Sequence, residues 1–331
     1  MNSRIIAFCT LIIWLCCASA NAKTVRHYVF FGQDREKLAK ASSFFETEGS
    51  EGAQVTYSWR QLEPRKDVYD FSYIREDLAL LASKGKKLFV QLQDITFVAS
   101  RINVPRYLLD DPVYNGGANQ MYDEEKARGD GWVARRWDPA VQERFHKLLF
   151  ALGKEFDGKI EGINFAESSI GFGESGRMFP KGYTFEAYRD GLIVNMRALK
   201  RAFPRSVTMQ YANFMPGEWL PADDKGYLRA IYKAAQELKV GVGGPDLLPY
   251  RRGQRNHSYP LIRAAAGRVP TGIAVQDGNF EDVNRENGKR ITLAELVAFA
   301  TDYLKVDYIF WGTQEPYYSE QVIPFLRRVK K

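Results

Sequence analysis

The chain reads as a single-domain (β/α)8 barrel of the α/β class. Strand-like and helix-like stretches alternate through the sequence after its N-terminal segment, and no Pro/Gly/Ser-rich linker or low-complexity break divides them. The alternation repeats eight times, and eight such units over about 250 residues or more suit a closed barrel better than an open sheet. No G-x-G-x-x-G follows the first strand, which weighs against a dinucleotide fold.

The N-terminal segment has its own logic. Arg4 precedes the apolar run IIAFCTLIIWLCCASA, which ends in small residues around Ala18, Ala20 and Ala22. That order predicts a secretory signal peptide over 1–22, cleaved after Ala22 or, alternatively, Ala20. The run is too short, and too soon followed by Lys23 and Arg26, to span a membrane. Export to the periplasm or the exterior is therefore expected, with 23–331 as the barrel and no membrane span after cleavage. Cys9, Cys16 and Cys17 all fall inside the signal. The mature chain is thus expected to lack disulfides, thiolate–zinc sites and cysteine nucleophiles. It must rely on its core, and roughly 300 residues are ample for one.

The first unit pairs a strand over 24–32 with a helix over 35–48. AQVTYSW (53–59) is the second strand; in the helix after it Ile74, Leu78 and Leu81 recur at helical spacing, and Gly85 supplies the stop. KLFVQLQD (87–94) is the third strand. The long stretch that follows, 95–137, carries Tyr107, Tyr114, Tyr122, Trp132 and Trp137 among glycines and charges. Loops of that length are usually functional or disordered, and its aromatic content argues against disorder. It reads as a cleft wall bearing stacking plates, or as a self-packed excursion. The next helix, 138–156, is amphipathic, with Asp138 as cap and Pro139 in its first turn. Strands over 160–167, 206–214, 240–248, 271–278 and 306–312 then alternate with helices over 184–203, 225–238, 259–266 and 292–304. A closing helix starts at Ser319. In such a barrel, function lies where the strands end.

The formal charge of +7 is spread along the chain. It reads as a soluble basic surface, or as attraction to an acidic polymer such as a uronate-containing polysaccharide or a membrane surface. No nucleic-acid-binding motif is present, so nucleic acid is not an expected partner. His27, His146 and His257 lie far apart and form no H-E-x-x-H, and neither a P-loop nor a G-x-S-x-G elbow occurs. Neither a metal nor another cofactor is expected.

The most specific stretch is YSWRQLEPRKDVYDFSYI (57–74). A tryptophan ends the second strand, Pro64 turns the chain, and Ser72 is placed to cap the helix. Trp59 either packs or offers an indole plate to a sugar ring. This stretch resembles the second and third strand region of clan A glycoside hydrolases, and the resemblance extends over the whole of 23–331. It implies a barrel that cleaves a polysaccharide or oligosaccharide. It also implies a general acid/base glutamate ending the fourth strand, usually as Asn-Glu; here that place reads Ala166-Glu167. An aromatic often ends the eighth strand, and Trp311 matches.

The seventh strand departs from the pattern, with Gln276 where a nucleophilic glutamate is expected and Asp277 after it. A retaining enzyme needs two carboxyl groups about 5–5.5 Å apart, an inverting one about 6.5–9.5 Å with water between. Gln276 can bind sugar hydroxyls but cannot form the glycosyl ester. Asp277 is then the nucleophile, or it or another acid activates a water, or the barrel binds glycans or acts as a scaffold in polysaccharide handling or export without cutting. A polysaccharide lyase is a weaker reading. Glu167 and Asp277 are the expected catalytic pair. The expected substrate contacts are Trp59, Gln276, Trp311, Asp246, Asp94, Glu315 and Trp132. Asp94, Asp246 and Glu315 each have a structural alternative as loop, turn or salt-bridge residues. Gly243 and Gly244 before Asp246 suggest close approach of backbone to a ligand, and Arg251, Arg252 and Arg255 a cationic rim or a solvated loop.

Overall fold

The computed structural model describes residues 24–124, 128–285 and 287–329; the expected signal peptide lies outside them. Eight strands, β1 (Arg26–Phe30), β2 (Gly52–Ser58), β3 (Lys87–Gln93), β7 (Gly162–Phe165), β8 (Val207–Tyr211), β9 (Gly241–Gly244), β10 (Thr271–Val275) and β11 (Tyr308–Gly312), close a barrel in the order β1-β11-β10-β9-β8-β7-β3-β2. Every neighbouring pair is parallel, and helices cover the outside. The (β/α)8 barrel expected from the alternation is the fold. The long stretch after β3 builds a small antiparallel sheet from β4 (Ile95–Thr96), β5 (Ala118–Asp123) and β6 (Arg128–Ala134). No helix among the described residues is long and apolar enough to cross a membrane.

Three of the local expectations shift. The helix over 35–48 divides into Arg35–Ala39 and Ser42–Phe45. Leu38 and Phe44, both fully buried, would fall about 120° apart on a continuous helix; the break turns both inward. Ser72 is the first helical residue rather than a cap, and its N–H donates to Asp70 Oδ1 at 3.0 Å. The closing helix is Ile323–Arg328, preceded by a π-helical turn over Tyr318–Val322. Asp138 does cap Pro139–Phe156, accepting from Ala140 and Val141 N–H.

The barrel interior is layered, which decides where a site can be. At the N-terminal end Arg26 binds Glu51 (2.7 Å) and Glu161, and the Tyr308 hydroxyl donates to Glu161 at 2.8 Å. Lys87 lies 3.2 Å from Glu161. Above this plug Tyr28, Phe89, Met209, Tyr211, Ala274, Tyr308 and Phe310 fill the barrel, with Phe89 edge-on to Phe310 at 5.0 Å. Burying each large apolar side chain contributes ~1.5–3 kcal/mol, so this layer anchors the closure. A Cβ at Gly162 would sit 2.7 Å from the Phe89 ring; glycine is there to admit the aromatic. Next comes a polar layer, with Gln54 Nε2 donating to Asn164 Oδ1 (2.9 Å) and Thr56 Oγ1 to Gln91 Oε1 (2.7 Å). Only beyond it, at the C-terminal ends of the strands, does the barrel open.

Candidate active site

Glu167 stands at that opening, just after β7, and its backbone is pinned from several sides. The Arg136 guanidinium donates to its carbonyl (3.0 Å), Gln210 Nε2 donates to the Ala166 carbonyl (2.8 Å), and the Tyr188 hydroxyl to the Ser168 carbonyl (2.9 Å). Ser168 Oγ ties the turn to the Phe214 carbonyl at 2.7 Å. Pinning of this kind fixes a side chain on a strand-end loop to within the tolerance that catalysis needs. Among the described residues the carboxyl receives one hydrogen bond, from Asn213 Nδ2 to Oε2 at 2.5 Å.

Electrostatics set Glu167 apart. Part of its surface stays accessible, yet the carboxyl is set deep in protein, and desolvation lifts its pKa from the usual 4.5 to about 7. The Asn213 hydrogen bond and the Arg136 charge pull it down, while the negative charge of Asp246 pushes it up. Asp246 follows β9 and is itself raised by burial, against a 3.0 Å hydrogen bond from Asn279 Nδ2 that favours its ionised form. Asn279 Oδ1 accepts from Leu247 N–H (2.8 Å) and Gln276 N–H (3.2 Å), linking the ends of β9 and β10. Glu167 after β7 and Asp246 after β9 flank the end of β8, and a pair of carboxyl groups in which the charge of one raises the pKa of the other can divide acid from base.

Gln276 is partly buried at the end of β10, and Asp277 is exposed beside it. A Cβ at Gly312 would lie 3.6 Å from Asp277 Oδ1, so Asp277 leans toward the end of β11. Its charge is absent from those that shift Glu167.

Four expected contacts lie away from the opening or serve another contact there. Trp59 is fully buried; it opens a short helix, Trp59–Leu62, packs on Phe145 at 4.9 Å and donates to Glu63 Oε2 at 2.8 Å. Glu63 in turn accepts from Arg144 (2.6 Å) and Tyr107 (3.1 Å). The W-R-Q-L-E motif is thus a buried structural node, with no indole face presented to a ligand. Trp311 is also fully buried. It is in register with Val29 and Val275, which face the helices, whereas Phe310 faces the barrel interior; its Nε1 donates to His27 Nδ1 at 3.1 Å. Asp94 is buried in a bidentate pair with Arg136 (2.6 and 2.8 Å). Trp132 leans on the core and donates to the Ala99 carbonyl.

The remaining expectations sort by their partners. Glu315 is exposed at the last turn, accepting from Ser319 Oγ at 2.6 Å. In the arginine-rich loop Arg251 pairs with Asp282 (2.8 Å) and Arg255 donates to the Pro249 carbonyl. Gly243 is required by barrel packing, since a Cβ there would meet the Gly272 carbonyl oxygen at 2.4 Å.

Beside Glu167 lies a groove of about 830 Å3 between Tyr122–Glu124, Ser169–Glu174 and the loop after β8. It does not contain Glu167 but abuts it through Ser169 and Phe214. On its rim Trp219 is 58% exposed and stacks parallel to Phe214, centroids 5.8 Å apart. His257 supports both rings from 4.6–4.8 Å; burial holds its imidazole below the usual range, and its Nε2 accepts from Leu220 N–H. A large exposed indole braced from behind is a natural sugar platform. Sequence reading passed over Trp219, Asn213 and Asn279, because each gains its role from a loop conformation that no periodicity or motif reports.

No protein-family model and no curated protein matches the chain. Among solved structures, xylanase 10B from Thermotoga petrophila in complex with xylobiose is similar at 13% identity and a TM-score of 0.51, covering 90% of this chain and 86% of that one. A β-galactosidase from the haloarchaeon Halorubrum lacusprofundi is similar at 12% identity and a TM-score of 0.54, covering 87% of this chain. This chain spans about half of that one, 52%. Both are barrels of the clan A glycoside hydrolase type, and at such identities the likeness is one of fold.

Proposed function

We propose that the protein is an exported glycoside hydrolase that cleaves a polysaccharide or oligosaccharide across the C-terminal mouth of its barrel. One feature carries the reading: a strand-end glutamate, pinned in place, whose pKa is lifted to about 7 by burial and by the charge of a second carboxylate, Asp246. Because Asn213 donates to Oε2, the proton of neutral Glu167 resides on Oε1. From there it passes to the departing glycosidic oxygen as the bond to the anomeric carbon breaks. Asp246, whose ionised form the Asn279 hydrogen bond favours, then draws a proton from the attacking water. Asp277 is the alternative partner, and Gln276 a contact for sugar hydroxyls. The two fold neighbours, a xylanase and a β-galactosidase, support the reaction class.

The test is product release from a panel of neutral and acidic polysaccharides, read by mass spectrometry, with product anomers read by NMR. Release of shorter glycans supports hydrolysis; binding without cleavage across the panel removes it. Replacing Asp246 by Asn is expected to lower turnover about 10²- to 10⁴-fold, the range for a general base, with Asp277→Asn retaining most activity. The reverse ranking in steady-state kinetics would transfer the role to Asp277. Trp219→Ala is expected to weaken glycan affinity about tenfold, as loss of a stacked ring does, measured by calorimetry. Its stability should stay within about 0.5 kcal/mol.

A second reading rests on Gln276. An amide at the end of β10 suits a barrel that grips a glycan without forming a covalent intermediate. In that case the native protein binds the panel and releases nothing.

A further inference from the structure

The mouth of the barrel has two recesses of opposite electrical character. Among the described residues, the groove beside Glu167 is lined by Asp123, Glu124, Glu174, Glu218 and Asp223, and by no lysine or arginine. The second recess, of about 440 Å3, lies over the ends of β1 and β2 and, among the described residues, is lined by Arg35, Arg60 and Arg101 with no carboxylate. Its remaining lining is mostly hydrogen-bonding side chains, among them Gln33, Thr56, Ser58 and Gln61.

The three arginines are not equivalent. Arg35 is neutralised by Asp77 at 2.7 Å and Glu76 at 2.8 Å. Arg60 and Arg101 have no carboxylate within 4.0 Å among the described residues. Their hydrogen bonds go to neutral acceptors, Arg60 Nε to the Val104 carbonyl (2.8 Å) and Arg101 Nη1 to Gln33 Oε1 (2.8 Å). Arg60 is partly buried, and desolvation together with the charge of Arg106 disfavours its cation, against a weaker pull from Asp110. A half-buried guanidinium left without a counter-ion, next to a second one, is a cost the fold carries unless an anion arrives.

The recess also faces the proposed reaction. Thr56 on its floor is bonded to Gln91, which is in register with Asn164 on β7, three residues before Glu167. A chain lying across the mouth can therefore reach both recesses.

We infer that the Arg60–Arg101 recess binds an anionic substituent of the glycan, a sugar carboxylate or a sulfate ester, and that the acid-lined groove confines such substituents to the β1–β3 side of the mouth. This deepens the proposed function by naming an anionic glycan as the substrate class, and rests on that reading only for the word substrate. Guanidinium groups suit both oxyanions through paired N–H donors.

Binding, rather than cleavage, tests it. Calorimetry on the full-length mature protein would compare tetragalacturonate, its carboxyl-reduced neutral counterpart and a sulfated neutral tetrasaccharide. An anionic probe is expected to bind about tenfold or more tightly than the neutral one, the worth of a charge-assisted contact. The preference should shrink as salt is raised. Arg60→Gln combined with Arg101→Gln should remove the preference while leaving the neutral probe's affinity unchanged, and Arg101→Gln alone, at an exposed position, serves if the double variant misfolds. Whichever anionic probe gains more identifies carboxylate or sulfate as the group. Equal binding of all three, no binding of either anionic probe, or a preference that survives the arginine substitutions would overturn the inference. A preference for the anion without any hydrolysis would leave the recess standing and remove only the hydrolase reading.

Discussion

Replacing Glu167 by Gln is expected to lower turnover by about 10²- to 10⁴-fold, the usual share of a general acid, while affinity for the proposed glycan should change little. The amide keeps the size of the side chain and still accepts from Asn213 through its oxygen, so what disappears is the proton at Oε1. Steady-state rates and calorimetric affinities on the same preparation separate the two effects. Stability gives an independent reading with a fixed sign. The pKa of Glu167 is raised in the folded state from 4.5 to about 7, so between those values the folded chain binds more protons than the unfolded one. Stability from this group is therefore full below about pH 4.5 and is lost as pH rises toward 7. Above that it amounts to a penalty on the order of 3 kcal/mol. The glutamine variant escapes the penalty, so its Tm should exceed the native value at pH 8 and match it near pH 4. A catalytic loss accompanied by a stability gain is a combination that a merely structural glutamate would not produce.

Asp94→Asn is expected to destabilise the fold by about 3–5 kcal/mol, the cost of leaving one buried charge without its partner. Both members of the Asp94–Arg136 pair are almost wholly buried. Arg136 also donates to the Tyr188 hydroxyl at 2.8 Å and to the Glu167 carbonyl. The substitution therefore loosens the turn that presents Glu167 as well as the core beneath it, and turnover should fall with stability. Urea unfolding checks the first effect. Pairing Asp94→Leu with Arg136→Met tests the cause: with both charges gone, the double variant should recover part of the loss. A native-like unfolding midpoint for Asp94→Asn would return Asp94 to the role of a ligand contact.

The barrel was legible because its determinants are local and periodic. A short, largely apolar run at 87–94, an N-capped amphipathic helix at 138–156 and glycine stops are local signals of this kind, and β/α alternation admits few topologies. The position of Glu167 was legible for a related reason, since a carboxylate ending a barrel strand lies at the C-terminal face whatever the loops do. The tryptophans were misread because the direction of a strand residue depends on register. One residue decides whether Trp311 faces the barrel interior or the helices, and the closure of β11 against β1 and β10 turns it outward. Trp59 belongs to the helical turn after β2 rather than to the strand, which hides it against Phe145. Asp94 looked available because Arg136, its partner, is brought back to it only after the β4–β6 excursion. The features on which the proposed chemistry rests, Asn213 on Glu167, Asn279 on Asp246, Trp219 on Phe214 and Arg60 on the Val104 carbonyl, depend on loops meeting from distant parts of the chain.

Direct titration of the Glu167 carboxyl tests the central claim without any substrate. NMR of protein carrying 13C-labelled glutamate would follow the side-chain signal across pH 3–9, with Glu167→Gln identifying it by its absence. The account predicts a midpoint of about 7 that moves down when Asp246 is replaced by Asn, since the neighbouring negative charge is then gone. A midpoint near the usual 4.5, indifferent to Asp246, would contradict it and leave Glu167 an ordinary ionised residue at the end of a strand.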